Sequence, residues 1–251
     1  WKDAVPVPLS AGADFEFVNS IFVKDNTVFV AGSEQPVSNR KAKYWVNGTE
    51  HILTDGALNA DANSIYASGE NVYVAGFHVK VRENSSSTEM ATIWINDTEN
   101  NLPDQGNRSY AQSVFVNGND VYVAGNDRTP YIPATGAGNK PQATYWKNGV
   151  PTYLNSNVNR IGYATGIFVI GNDVYVCGYE ENESAVMIAK YWKNGVAVDL
   201  GPGYTSGIFV KDTDVYVSGY EGIAPSQAKY WKNGNSINLT GGSYAWGIFV
   251  N

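Results

Sequence analysis

Four carboxylic acids stand at a repeating address in this chain. Glu34, Asp127, Glu180 and Glu221 each follow by two residues the glycine of a Val-aromatic-Val-small-Gly run. A pair of such acids on opposite sides of a glycosidic bond is what glycoside hydrolysis requires. The same address recurs in copy after copy, however, and that points to solvated loop charges, so these acids are not expected to catalyse anything. His51 and His78 fall in different parts of the repeat, and a two-His metal site is not expected from them. Cys177 takes a slot held elsewhere by Ala31, Ala75, Ala124 and Ser218, which marks it as a buried small hydrophobe and not a nucleophile. Asp and Asn residues at the short turns are turn formers, without the ligand density of a Ca²⁺ loop. No metal and no cofactor is expected.

These residues are spaced by a four-part motif that runs the length of the chain. Part A begins at Ser20, Ser64, Ser113, Gly166, Gly207 and Gly247. Part B is the run ending at Gly32, Gly76, Gly125, Gly178 and Gly219. Part C carries Trp45, Trp94, Trp146, Trp192 and Trp231, with Trp1 as a sixth copy. Part D ends at Leu9, Leu53, Leu102, Leu154, Leu200 and Leu239. Each part is four to six residues rich in Val, Ile, Phe and Tyr and bounded by turn residues, which is a strand signal. Asn47-Gly48, Asn96-Asp97, Asn148-Gly149, Asn194-Gly195 and Asn233-Gly234 separate C from D and suit two-residue type I′ hairpins. Each copy therefore predicts an antiparallel meander of four strands.

Part B is apolar on both faces and must be covered on both, so the sheets pack face to face. Residue size rises from Gly, Ser and Ala in A and B to Tyr-Trp in C, as it must if sheets radiate from an axis and the gap between them widens outward. The predicted fold is an all-β propeller of four-stranded blades. The Gly-Ile-Phe-Val, Asn-Asp-Val-Tyr-Val and Ala-Lys-Tyr-Trp-Lys-Asn-Gly segments, clearest at 166–195 and 207–234, resemble the repeats of secreted bacterial propeller proteins, and the A–B hairpin is similar to that of NHL-type repeats. The resemblance implies the fold and leaves function open, because propellers host binding modules, lectins and enzymes alike. Six A and six D parts against five B parts favour six blades, one of them composite and incomplete, with five blades as the alternative. Residues 1–251 read as a single propeller domain that looks like a fragment of a longer chain, and its open blade edge is a self-association hazard.

Spacing separates the two ends of the blades. From the start of A to the glycine of B is 12 positions in all five copies, and from Trp to Leu is 8 in all six. The B-to-C interval varies as 13, 18, 21, 14 and 12, and the D-to-A interval from 7 to 12. Both variable connections emerge at one end, which is the expected working face. Three residues before each part A come Phe17, Asp61, Tyr110, Tyr163, Tyr204 and Tyr244, and the B–C loops add Phe77, Tyr131, Tyr179 and Tyr220. One residue before part A come Asn19, Asn63, Gln112, Thr165, Ser206 and Trp246, expected around the mouth of a central channel. The predicted ligand site takes ring faces from Tyr163, Tyr204, Tyr244 and Trp246 and hydrogen bonds from Asn19, Asn63 and Gln112. Such a surface suits a neutral ligand, glycan before protein.

Composition narrows the partners. The net charge is -7 with 16% charged residues and no basic cluster, which speaks against nucleic acid and anionic membrane surfaces. No apolar run reaches the roughly 18 residues of a membrane span. Loops rich in Asn, Ser, Thr and Gly suggest a secreted or cell-surface protein. The expected function is thus non-enzymatic ligand recognition, with a protein-interaction scaffold as the second reading and a carbohydrate-active enzyme as the third.

Overall fold

The computed structural model describes Leu9 and residues 15–35, 38–82, 86–130, 138–222 and 225–250. The chain is all-β and forms five four-stranded antiparallel sheets of the propeller-blade kind, each with its strands in chain order. The first blade comprises β1 (Phe15–Lys24), β2 (Thr27–Gln35), β3 (Lys41–Val46) and β4 (Thr49–Ile52). The second comprises β5 (Ala60–Ser68), β6 (Asn71–Val81), β7 (Ser87–Ile95) and β8 (Thr98–Asn101). The third comprises β9 (Ser109–Asn117), β10 (Asp120–Arg128), β11 (Pro141–Lys147) and β12 (Val150–Tyr153). The fourth comprises β13 (Gly162–Ile170), β14 (Asp173–Glu181), β15 (Met187–Lys193) and β16 (Val196–Pro202). The fifth comprises β17 (Tyr204–Lys211), β18 (Asp214–Glu221), β19 (Gln227–Lys232) and β20 (Asn235–Asn238). A sixth, composite blade would need the residues around Trp1, which lie outside the described residues.

The chain falls into two compact units, Trp1–Leu102 with two blades and Pro103–Asn251 with three. Inside each unit the inner strand of a blade packs on the inner three strands of the blade before it. The contact has one recipe. Ile65 and Ala67 enter a cluster with Phe29, Ala31, Ala42 and Tyr44; Ile167 and Val169 meet Tyr122, Ala124, Ala143 and Leu154; Ile208 and Val210 meet Tyr175, Cys177, Ala189 and Leu200. Each such Ile or Val taken from water contributes about 1.5–3 kcal/mol. The same positions on β1, Ile21 and Val23, stand exposed at 63% and 58%. The five C-strand tryptophans are no more than 1% exposed, as their place in the wide outer part of each blade requires.

The C–D turns are the expected type I′ pairs. Asn47, Asn96, Asn148, Asn194 and Asn233 all take positive φ, followed by Gly or Asp97 also at positive φ. Each of these asparagines does more than turn the chain. Its Oδ1 accepts from a strand-B amide, at Val28, Val72, Val121, Val174 and Val215, over 2.8–2.9 Å, and ties the outer hairpin to the middle of the blade.

The inner strands begin earlier than the sequence motif suggests, and each contains a β-bulge. Val18 faces Gly32 and Ser20 faces Ala31, so Asn19 has no opposite number. The extra residue is Asn63 in β5, Gln112 in β9, Thr165 in β13 and Ser206 in β17. The residues placed before part A by the sequence are therefore inside strand A. A bulge brings the kinked backbone against its partner strand, and the invariant glycine of part B is the answer to that approach. A Cβ on Gly32, Gly76, Gly125, Gly178 or Gly219 would lie 1.9–2.0 Å from the carbonyl oxygen of Phe17, Asp61, Tyr110, Tyr163 or Tyr204.

Candidate functional site

The bulges aim one polar residue per blade out of the ladder at the end where the long connections lie. Asn19 is exposed and its Nδ2 donates to Asp61 Oδ1 and to the Ala62 carbonyl, each at 3.0 Å. Asn63 is half-buried and Gln112 exposed. Thr165 and the buried Thr205 share a 2.8 Å hydrogen bond. Asp61, the one acid at an address otherwise held by rings, is buried. It receives Arg40 Nη1 at 2.7 Å, while that guanidinium lies 4.2 Å over the Phe17 ring. Arg40 thus holds together the acid and the ring that frame Asn19.

In the second unit the aromatic residues form a continuous ladder. Centroids are 5.2 Å apart from Tyr163 to Tyr179, then 4.9 Å to Tyr204, 5.0 Å to Tyr220, 4.8 Å to Tyr244 and 5.6 Å to Trp246. Tyr163–Tyr179 and Tyr204–Tyr220 are partners across one sheet, Tyr179–Tyr204 joins neighbouring blades, and Tyr244 and Trp246 extend the row from a segment outside the sheets. Tyr163 and Tyr204 are half-buried by this packing, whereas Tyr244 is 46% and Trp246 76% exposed. Ring faces are therefore offered mainly at one end of the ladder. Burial and the neighbouring phenols push the Tyr179 hydroxyl well above its ordinary pKa. Phe77 belongs to β6 rather than to a loop, and Tyr131 lies outside the described residues.

The acids two residues beyond each B-strand glycine correct the reading of solvated loop charges. Asp127 is fully buried and Glu180 is 2% exposed. The cause is the residue opposite the glycine on strand C. Where it is lysine, the acid is glutamate: Lys43 faces Gly32 and bonds Glu34, Lys190 faces Gly178 and bonds Glu180, and Lys229 faces Gly219 and bonds Glu221. The lysine ammonium reaches across to the diagonal position two residues beyond the glycine, where the acid stands. Where it is threonine, at Thr92 and Thr144, the position holds His78 or Asp127. Asp127 then accepts from the Gln105 amide and, at 3.0 Å, from the Tyr153 hydroxyl. Burial pushes its carboxyl up from the ordinary value against these two donors.

Around Glu180 the charges line a cleft of about 320 Å³ with Ser156, Arg160, Glu181, Lys190 and Asp199 on its walls. Glu180 Oε1 accepts from the Ser156 amide at 2.8 Å and hydroxyl at 2.7 Å, and Oε2 meets Lys190 Nζ at 3.1 Å. Lys190 also reaches Asp199, whose side chain is 65% exposed. Glu180 is thereby held in place. Glu181, Glu183 and Asp199 are the acids open to a ligand in this cleft, and Tyr179 of the ring ladder precedes Glu180 along β14.

His51 lies in β4 and stacks on Tyr44 with centroids 4.4 Å apart, while His78 lies in β6, not a loop, and contacts Glu99 at 3.2 Å. Cys177 is fully buried against Thr165, and burial pushes its thiol up to about 11. We expect no alkylation of the native protein by iodoacetamide at pH 8 and full reaction once denaturant is added. Stoichiometric labelling of native protein would contradict the burial.

No protein-family model matches the chain, and no curated protein is similar to it by sequence. Solved structures with a similar arrangement of blades include three enzymes. The sucrose-6-phosphate hydrolase from Lactobacillus gasseri is 10% identical with a TM-score of 0.49, over 88% of this chain and 60% of that one. A β-xylosidase is 10% identical with a TM-score of 0.41, over 88% and 92%. The GH32 β-fructofuranosidase of Bombyx mori is 6% identical with a TM-score of 0.41, over 84% and 61%. This chain thus spans about three fifths of the length of the first and third. The expectation of a non-enzymatic protein is corrected at the acids: of those set aside as solvated charges, Asp127 and Glu180 are buried and partnered, and Glu180 lines a cleft with further carboxylates.

Proposed function

We propose that the chain is a carbohydrate-active enzyme of the glycoside-cleaving class, working at the cleft around Glu180. The carrying observation is the set of carboxylates there: a buried, triply bonded Glu180 beside the accessible Glu181 and Asp199. Cleavage of a glycoside needs one carboxyl to protonate the leaving oxygen and a second carboxylate to attack the anomeric carbon or activate water. We assign those roles to Glu181 and Asp199. Lys190, bonded to both Glu180 and Asp199, positions Asp199, and Arg160 offers donors to substrate hydroxyls. Tyr244 and Trp246, with Tyr163 and Tyr204 behind them, supply the stacking surface for further sugar rings. Among the described residues no helix is long and apolar enough to cross a membrane. The Asn-, Ser- and Gly-rich loops support an extracytoplasmic setting for such an enzyme.

A panel of aryl glycosides and neutral oligosaccharides tests this. At least one should be cleaved, and Glu181→Gln and Asp199→Asn should each lower kcat about 100-fold or more without loss of the folded state. A protein that turns over no member of the panel, or that keeps full activity in both variants, refutes the assignment.

A further inference from the structure

Five Asn-Gly pairs occur in the chain, at 47–48, 117–118, 148–149, 194–195 and 233–234. An asparagine before glycine is prone to lose its side-chain amide, because no side chain shields it from attack by the glycine's own backbone nitrogen. Access does not separate the five pairs. Each glycine stands at positive φ, and a Cβ on any of them would meet nothing within 4 Å. The asparagine side chains do separate them. Asn47, Asn148, Asn194 and Asn233 close C–D hairpins, and each accepts at Oδ1 from a strand-B amide over 2.8–2.9 Å. In three of them Nδ2 also donates to an acid of the same blade, to Asp120 at 2.7 Å, Asp173 at 2.8 Å and Asp214 at 2.7 Å. Asn117 is the exception. It ends β9 at the A–B turn, and its single side-chain bond runs from Nδ2 to the carbonyl of Gly171, 2.8 Å away in the exposed turn of the next blade.

We infer that Asn117 is a site of spontaneous modification, with water as the only co-reactant, and that its conversion loosens the joint between the third and fourth blades. The Gly118 nitrogen gives up its proton and attacks Asn117 Cγ; the Cγ–Nδ2 bond breaks, and ammonia leaves with that proton. A cyclic imide remains. Water then opens the ring at one carbonyl or the other, giving aspartate or isoaspartate, and nothing is oxidised or reduced. Either product puts a carboxylate where the amide stood. A carboxylate has no proton to donate to the Gly171 carbonyl, so the tie between the two turns is lost. The first unit makes the same tie at the same repeat address, where Lys24 Nζ donates to the Gly69 carbonyl at 2.8 Å. Lysine cannot undergo this reaction. At the C–D hairpins the attack has to wait until the bond to strand B opens, and its rate falls with the population of that opening.

The test incubates the whole protein at mildly alkaline pH, digests it, and follows each Asn-Gly peptide by mass spectrometry with fragmentation that tells isoaspartate from aspartate. Asn117 should convert about tenfold faster than Asn148, Asn194 and Asn233, with Asn47, held at Oδ1 alone, between them. In denaturant the five rates should converge, because the dipeptide is the same. Equal rates in the native protein, a faster C–D site, or a lead for Asn117 that persists in denaturant overturns the inference. Asn117→Asp reproduces the lost donor without the reaction. It should speed amide exchange across 167–174 roughly threefold and leave the first blade unchanged; an unaltered 167–174 would show that the Gly171 bond is no joint.

Discussion

Gly178→Ala is expected to remove about 3 kcal/mol or more of stability from the three-blade unit. The new Cβ would sit 2.0 Å from the Tyr163 carbonyl oxygen and 2.8 Å from the Trp192 ring. Neither can withdraw: the carbonyl belongs to the kinked stretch of β13, and the indole is 1% exposed in the packed outer blade. Gly149→Ala is the control. Its φ of 80° penalises alanine, but nothing lies within 4 Å, so the cost should be the left-handed penalty of about 1–2 kcal/mol. Denaturant unfolding of the two variants side by side separates these effects. If Gly149→Ala proved as costly as Gly178→Ala, close approach at the bulge would not be what fixes this glycine.

That glycine also marks the limit of what the sequence reveals. The strands, the Asn-Gly hairpins and the buried tryptophans were all legible, because each depends on a few adjacent residues: alternation, positive φ, or bulk beside a turn. The bulges were not. A bulge is a mismatch between two strands and leaves little mark on the strand that bulges, where Asn19, Asn63, Gln112, Thr165 and Ser206 are all uncharged and polar but share neither size nor shape. Only the partner strand records it, as a glycine that never varies among five copies and that reads, from sequence alone, as the end of a strand. The acids were misjudged for a related reason. Glu34, Glu180 and Glu221 were compared with one another along part B, when the informative comparison was with Lys43, Lys190 and Lys229 on part C. The lysine lies 9, 10 and 8 residues beyond its acid as the connection changes length, which hides a pairing that the register makes plain.

Lys190→Met should cost about 3 kcal/mol near neutral pH, because it strands the Glu180 carboxylate at 2% exposure with only the Ser156 donors. Glu180→Gln should cost a comparable amount by leaving the ammonium with only the exposed Asp199 as a charged partner, and Glu180→Met with Lys190→Met should cost much less than the sum of the two single losses, since no buried charge is left behind. The pH dependence follows from Lys190. Burial alone would lower its pKa, but hydrogen bonds to Asp199 and Glu180 and their charges outweigh burial and leave it raised above 10.5. A raised lysine contributes stability in full below its unfolded value, and that contribution fades as pH climbs through the folded value. The wild type should therefore hold this increment up to about pH 10.5 and lose it above, whereas the double methionine variant should show a flatter alkaline limb. Additive losses in the double variant, or an unchanged midpoint in Lys190→Met, would show that the pair is not what anchors the cleft. A large loss of stability in Glu180→Gln, with Glu181→Gln stable and inactive, would separate the residue that holds the site in place from the one that meets the substrate.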